Sequence, residues 1–216
     1  PRTVRVGARH SWAWSDGPAV STSWPSGEKR ANVVKFVAPE TSYDEHEKLL
    51  KNAETILPQA AQNKTELKVV RWTADKHREA DAKEIITYLL ATNARLLSRQ
   101  SFPIYDIEAY ALNPAATFKL PAIDRPAEAS FDNRLRLESV FIPATGAPGN
   151  FLPLALKLSP LAPMDTDYKV SLRLLSPTGE RVAQKDRGLL HNYHQGTSLW
   201  PPEPVNEYYL LQLPAD

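Results

Sequence analysis

The chain has 216 residues, with 26 lysines and arginines against 25 aspartates and glutamates, so its formal net charge is +1. This balance gives no electrostatic reason to expect binding to nucleic acid or to an acidic membrane surface. The lack of cysteine excludes disulfides, zinc–thiolate sites and cysteine nucleophiles. The chain begins at Pro1 and its one methionine is Met164, so we expect it to be a fragment of a longer protein.

Residues 1–31 are polar, rich in tryptophan and punctuated by glycine and proline, which predicts an N-terminal arm. The alternation within Thr3–Val6 indicates an edge strand. Trp12, Trp14 and Trp24 offer flat aromatic faces that could stack on sugar rings. The alternative is that these tryptophans pin the arm onto the body of the protein.

Residues 32–113 contain two helical patterns. Ser42-Tyr-Asp-Glu45 fits a capping box, and the apolar spacing after it predicts a helix from Tyr43 to about Ala61, ended or kinked at Pro58. A second set of apolar residues at helical spacing begins at Ala82 and predicts a helix that ends near Asn93.

Strand patterns alternate with these helices. Leu67–Trp72, Ala94–Phe102 and Tyr105–Leu112 all predict strands. The order of elements predicts a small layered α/β domain around a mainly parallel sheet. The proline-containing segment 114–130 is interpreted as a linker.

Residues 131–216 consist of short alternating segments separated by proline, glycine and aspartate. Strands about six residues long with turns every ten or so predict an antiparallel β-sandwich of the immunoglobulin-like type. The whole chain is therefore expected to be α+β. The predicted strands are Arg134–Phe141, Leu152–Leu158, Tyr168–Leu175, Glu180–Lys185 and Glu207–Leu213.

Several of these strings resemble one protein family. They are FDNRLRL at 131–137, PGNFLPLAL at 148–156, DYKVSLRLL at 167–175, TGERVAQKD at 178–186, and TSLW at 197–200 before VNEYYLLQLP at 205–214. Together they resemble the C-terminal soluble region of large bacterial membrane glycosyltransferases of the dolichyl-phosphate-mannose-dependent protein mannosyltransferase-like type. The resemblance covers residues 32–216, and residues 1–31 lie outside it.

The resemblance implies an extracytoplasmic domain tethered to the membrane through its parent protein. Its implied partner is the membrane domain of that parent, and its implied role is non-catalytic: to orient an acceptor, a glycan or a lipid-linked sugar. The acidic residue that such transferases use lies in the membrane domain, so no catalytic position carries over. A free-standing carbohydrate-binding or adhesion module, and an uncharacterised soluble enzyme, remain the alternatives.

One loop combines polar chemistry with a favourable place in the fold. Asp75, His77 and Arg78 follow the carboxyl end of the Leu67–Trp72 strand. Ligands bind at that edge of open α/β sheets. The three residues are therefore candidate ligand contacts, and the alternative is a solvated loop.

Other motifs favour structural interpretations. His191 and His194 have metal-pair spacing only if they lie on a helix, and the flanking glycines indicate a loop. Asp165 and Asp167 lack the glycine and distal glutamate of a calcium loop. We therefore expect no metal, no cofactor and no catalytic residue in this chain.

Trp200 precedes two prolines and is expected to anchor the sandwich. After Glu207–Leu213 the chain soon ends, which would leave one sheet edge unpaired. We expect Thr3–Val6 to fill that edge, either by folding back on the sandwich or by swapping into a neighbouring molecule, with Trp12 and Trp14 packing the arm down.

Overall fold

The computed structural model describes residues 2–7, 33–37, 53–72, 81, 83–103, 105–190, 196–200 and 202–215. This part of the protein is mostly β, and its sheets contain antiparallel pairs. The chain forms two compact units that each draw on two separate stretches of sequence. The first comprises Pro1–Ala82 and Leu89–Leu120, and the second comprises Lys83–Tyr88 and Pro121–Asp216. Within the described residues, no helix is both long enough and apolar enough to cross a bilayer.

The first unit contains a five-stranded sheet whose strands lie in the order β2-β1-β3-β5-β4. The predictions for the last three strands are confirmed to within one residue. The strands are β1 (Arg2–Gly7), β2 (Val33–Val37), β3 (Glu66–Trp72), β4 (Ala94–Ser101) and β5 (Tyr105–Leu112).

This sheet is mixed rather than mainly parallel. β1 runs parallel to β2 and β3, whereas β5 runs antiparallel to both β3 and β4. The reason is the length of the connections. A short turn after β4 can join only antiparallel strands, whereas the long segments after β1 and β2 allow parallel crossovers.

The expectation that the N-terminal arm fills an edge of the sandwich is wrong. β1 is a strand, but it lies between β2 and β3 in the first unit, with Val4 opposite Val34 on one side and Val69 on the other. Parallel pairing on both sides satisfies its backbone groups inside this sheet. Trp12 and Trp14, which were expected to hold the arm down, lie outside the described residues.

The described residues form two α-helices. α1, described over residues 53–61, belongs to the first unit, and α2 (Ile85–Asn93) contributes its residues 89–93 to that unit. The predicted start of α1 lies outside the described residues. Pro58 does not end α1, which continues to residue 61. Ala53, Leu57 and Ala60 are fully buried, so the burial of this face offsets the local cost of a proline.

Asn93 joins α2 to the segment that follows β5. Its side-chain oxygen accepts hydrogen bonds from the backbone N–H groups of Thr117 (2.9 Å) and Phe118 (2.8 Å). Its amide nitrogen donates to the carbonyl of Leu89 at 2.9 Å. Because Asn93 is only 7% exposed, these bonds satisfy an otherwise costly buried amide.

The second unit contains two antiparallel sheets. The four-stranded sheet has the order β11-β8-β7-β6, and the two-stranded sheet is the β9–β10 hairpin. All five strands predicted for this region are confirmed with small shifts at their ends. The strands are β6 (Arg125–Phe131), β7 (Leu135–Phe141), β8 (Phe151–Pro160), β9 (Lys169–Leu175), β10 (Arg181–Gly188) and β11 (Val205–Gln212).

One strand of this unit was not predicted. β6 begins inside the segment 114–130 that was interpreted as a linker, and it pairs with β7. Its proline and the register shift between Pro126 and Ala129 obscure the alternation that would have revealed it. Proline and bulges are common in strands at a sheet edge, and β6 is such a strand.

A single apolar core joins the two sheets of the second unit. The alternate residues Val170, Leu172 and Leu174 of β9 pack against it, whereas the residues between them are exposed. We call this group the second-unit core. Its buried members are Leu135, Val140, Leu152, Leu154, Leu156, Leu158, Met164, Leu189, Tyr209 and Leu211.

Candidate functional site

Glu108 lies on β5 with no exposed surface. In the strand register it stands between Val69 of β3 and Arg99 of β4. Directly opposed residues share one face of a sheet. Its carboxylate therefore lies on the same face as Arg99.

Each oxygen of the Glu108 carboxylate lies beside a cation. Arg99 Nη2 lies 2.7 Å from Oε1 as an ion pair, although Oε1 accepts no well-directed hydrogen bond within the described part of the chain. Arg71 Nε and Nη2 each lie 3.4 Å from Oε2, and the Tyr110 hydroxyl donates to Oε2 at 2.7 Å. The carboxylate is thus held by two guanidinium groups and a phenol, which is the pairing that a buried charge requires.

Two further carboxylates complete this arrangement. Asp81 Oδ2 lies 3.4 Å from Arg71 Nη1, and Asp106 Oδ2 lies 4.0 Å from Arg99 Nε. The side chain of Arg99 is 53% exposed, so this side of the group reaches solvent. We call the group the Glu108 cluster; it consists of Arg71, Asp81, Arg99, Asp106, Glu108 and Tyr110.

The cluster also controls the protonation of its members. Burial disfavours the charge of Arg71, but Asp81 and Glu108 outweigh that effect and raise its pKa. Burial, together with the negative charge of Glu108, raises the pKa of Tyr110. Arg71 therefore stays charged and Tyr110 stays a neutral donor at physiological pH.

In the sequence, two members of the Glu108 cluster flank the segment that was expected to be a ligand site. Arg71 is the penultimate residue of β3, and Asp81, which follows that segment, contacts it. The predicted ligand residues Asp75, His77 and Arg78 lie outside the described residues.

A second buried carboxylate, Glu207 of β11, belongs to the second unit. Lys83 Nζ lies 2.5 Å from Oε1, and Arg187 Nη2 lies 2.8 Å from Oε2. Lys83 is 6% exposed and Glu207 is 1% exposed. As in the Glu108 cluster, both oxygens of a buried carboxylate are occupied by cations.

Arg187 connects this carboxylate to the start of α2. Its Nη1 donates to the Lys83 carbonyl at 2.7 Å and lies 3.5 Å from Glu84 Oε2. Lys185 Nζ lies 2.7 Å from the other oxygen of Glu84. We call these residues the Glu207 network: Lys83, Glu84, Lys185, Arg187 and Glu207.

Aromatic rings line the Glu207 network. The guanidinium of Arg187 lies 4.1 Å from the ring centroid of Tyr209, a cation–π distance. Burial raises the pKa of Tyr209, and the charge of Glu207 acts in the same direction. The phenol therefore stays neutral beside the network.

Trp200 follows a short 3₁₀ helix, Thr197–Leu199, and its side chain packs partly buried against the second-unit core. Its indole nitrogen is buried and has no hydrogen-bond partner within the described part of the chain. Lys83 Nζ lies 5.8 Å from the ring centroid. Its proposed role as a structural anchor stays a prediction, and this packing is consistent with it.

Asp167 fixes the turn that precedes Trp200. Its Oδ1 accepts hydrogen bonds from the backbone N–H of Ser198 at 3.0 Å and from the Ser198 hydroxyl at 2.8 Å. These two bonds lower the pKa of Asp167. Nearby, Asp165 pairs with Arg134 at 3.3 Å. Both carboxylates are thus used in structural contacts.

The remaining candidates from the sequence cannot be placed. Trp12, Trp14, Trp24, His191 and His194 lie outside the described residues. Among the residues that the structure does describe, no group of three or more histidine, aspartate or glutamate side chains could hold a metal ion.

Sequence reasoning missed Glu108 and Glu207. Asp106, Glu108 and Tyr110 alternate along β5, and such a polar face is normally assigned to solvent. The available signal was the pair of arginines, Arg71 and Arg99, on the strands flanking β5. Recognising it required the order of strands in the sheet, which periodicity does not supply.

The chain matches no protein-family model, no curated protein and no solved structure.

Proposed function

We propose that this chain is a non-catalytic, extracytoplasmic module of a membrane glycosyltransferase-like protein. In this proposal it holds or orients an acceptor or a glycan near the active site of the membrane domain, which is its partner within the parent protein. Support comes from the strand strings at 131–137, 148–156 and 205–214 that resemble such proteins. The two-sheet architecture of the second unit adds an analogy at the level of the fold, which by itself does not imply a function.

The proposal that the chain is non-catalytic rests on the ion pairs of two buried carboxylates, Glu108 and Glu207. Hydrolysis or transfer of sugars commonly uses a pair of carboxyl groups, one of which must present an oxygen to the substrate or to water. Each oxygen of Glu108 and of Glu207 lies within ion-pair distance of a cation of the chain itself. A carboxylate held in this way acts as a structural counter-ion rather than as a base or nucleophile.

The proposal extends to the fold of the second unit. The β9–β10 hairpin packs through the second-unit core onto the antiparallel sheet β11-β8-β7-β6. Two antiparallel sheets that share one core are the architecture of a β-sandwich. We propose that this sandwich is immunoglobulin-like.

The test is a turnover assay on the purified chain. It would be incubated with a polyprenyl-phosphate-linked mannose and, separately, with nucleotide sugars, and released products would be measured. We expect no release above that of heat-denatured chain. Turnover that is abolished by Glu108→Gln or Glu207→Gln, with the fold retained by circular dichroism, would show that the chain is an enzyme.

A further inference from the structure

We infer that the free edge of β9 is a docking site for an extended segment of another protein chain. The segment adds as a strand beside β9, and acidic and apolar residues alternate along it. This inference goes beyond the proposed function and does not rest on it.

The backbone of β9 is paired on one side. Among the described strands, β10 is its one neighbour. Just before β9 begins, the backbone N–H of Leu189 donates to the carbonyl of Tyr168 at 2.9 Å. Such bonds recur at every second residue of an antiparallel pair. The backbone N–H and C=O groups of Lys169, Ser171 and Arg173 therefore point away from β10, towards the free edge, where a further strand can pair with them.

The second-unit core is less well covered on this side. A two-stranded sheet faces a four-stranded one, and of the two hairpin strands β10 has the more extensive contact with β11. β9 therefore lies on the side that leads towards β6. Phe131 of β6 stands opposite the buried Leu135, so it lies on the core-facing side, yet it is 48% exposed. The core-facing residues of β9 are only partly buried. An added strand would cover this apolar surface.

The side chains of β9 define the chemistry of the segment. Its core-facing residues are apolar, whereas Lys169 and Arg173 face outward and are exposed. Asp186 of β10 offsets part of the charge of Arg173, but β9 itself contains no acidic residue. An added strand places its own outward side chains directly opposite these cations. Acidic residues there, with apolar residues between them, are complementary to β9. Two copies of β9 would instead bring four cations together.

The experiment titrates the intact chain into a fluorescent peptide and follows its anisotropy. The peptide has seven residues, the length of β9, and alternates glutamate with valine. One control peptide has lysine in place of glutamate. The other has the same side chains but methylated backbone nitrogens, which cannot pair as a strand. We expect the first peptide alone to bind, and to slow hydrogen exchange at the amides of Lys169, Ser171 and Arg173.

Three variants make the test specific. Ser171→Pro should weaken binding at least about tenfold, because it removes a backbone N–H on the free side and leaves the bonds to β10 in place. Ser171→Ala is the matched control, since it loses the same hydroxyl but keeps the N–H, and it should bind within about twofold of the parent chain. Arg173→Glu should weaken binding of the glutamate peptide at least about threefold and favour the lysine peptide. Circular dichroism verifies the folding of each variant.

Binding that follows this pattern supports the docking site. Failure of the glutamate peptide to bind, or binding that survives Ser171→Pro or leaves those three amides unprotected, overturns it. Equal binding of the two charged peptides would overturn the acidic character of the partner. Self-association of the chain in sedimentation equilibrium, if Ser171→Pro abolished it, would make a second copy the occupant and would likewise overturn the proposal.

Discussion

At the scale of single residues, Glu108 illustrates how buried charge is handled in this protein. Its carboxylate is surrounded by Arg71, Arg99 and Tyr110, so it supports three groups at once. Removing one partner of a buried charge cluster leaves the other charges uncompensated, which is generally more costly than the net contribution of the pair. Removal of any one charged member of the cluster is therefore expected to destabilise the first unit.

We expect Glu108→Ala to lower the free energy of unfolding by about 3–5 kcal/mol, because Arg71 would remain buried with only one of its two counter-ions. Glu108→Gln should cost less, since the amide oxygen can still accept from Tyr110. Urea unfolding measures both. The control is Glu128→Ala at an exposed position of β6, which should change stability by less than about 0.5 kcal/mol. A loss below about 1 kcal/mol for Glu108→Ala would contradict the assigned role.

Gly196 makes the turn before Trp200 possible. A Cβ added at this position would overlap the carboxylate of Asp167, which accepts two hydrogen bonds from Ser198. Glycine is required here because the Asp167 side chain closely approaches the backbone of Gly196. That backbone is extended, with φ at −98°.

Gly196→Ala should therefore destabilise the protein by about 1–3 kcal/mol, the usual cost of forcing an atom into a packed site. Gly188→Ala is the matched control, because its added Cβ would meet only Leu190, at an ordinary contact distance of 3.8 Å. Thermal unfolding of the two variants gives the comparison. Equal melting temperatures would show that Asp167 can move aside freely.

At the scale of elements, β1 contributes to the stability of the first sheet mainly through its position in the strand order. The strand lies between β2 and β3, and parallel pairing joins it to both. A strand in the interior of a sheet carries the hydrogen bonds of two neighbours, so its loss exposes two new edges.

Deleting residues 1–7 should therefore destabilise the first sheet and speed hydrogen exchange at the backbone amides of β3. The same amides in the intact chain are the reference, and those of β8 in the second unit serve as an internal control. If exchange in β3 stayed unchanged, the N-terminal segment would be a dispensable tail.

At the scale of the whole molecule, each unit is assembled from stretches distant in sequence. Lys83–Tyr88 belongs to the same unit as Pro121–Asp216, and Lys83 pairs with Glu207 across more than a hundred residues. Such a contact links stability to the correct assembly of the second unit, because it forms only when both stretches are in place.

A double-mutant cycle tests this link. Lys83→Met and Glu207→Gln should each be destabilising alone. The first leaves Glu207 Oε1 without its cation, and the second leaves the buried Lys83 ammonium without its carboxylate. The double variant should be more stable than the sum of the single effects predicts, by about 1–3 kcal/mol. Urea unfolding of the four proteins gives the coupling energy. A coupling near zero would mean that Arg187 alone neutralises Glu207.

Most of the helices and strands could be predicted from the sequence, because periodicity and turn residues are local properties. Alternation located β3, β5 and the strands from β7 to β11, and helical spacing located α2. β6 escaped because a proline and a register shift interrupt its alternation.

The pairing of the strands and the burial of polar residues could not be predicted in this way. The placement of β1 in the first sheet, and the burial of Glu108 and Glu207, depend on strand order and on partners far away in the chain. A charged residue on an alternating strand has the same local pattern whether it faces solvent or a guanidinium group. The difference lies in the free energy of a completed cluster, which exists only once the strands are assembled.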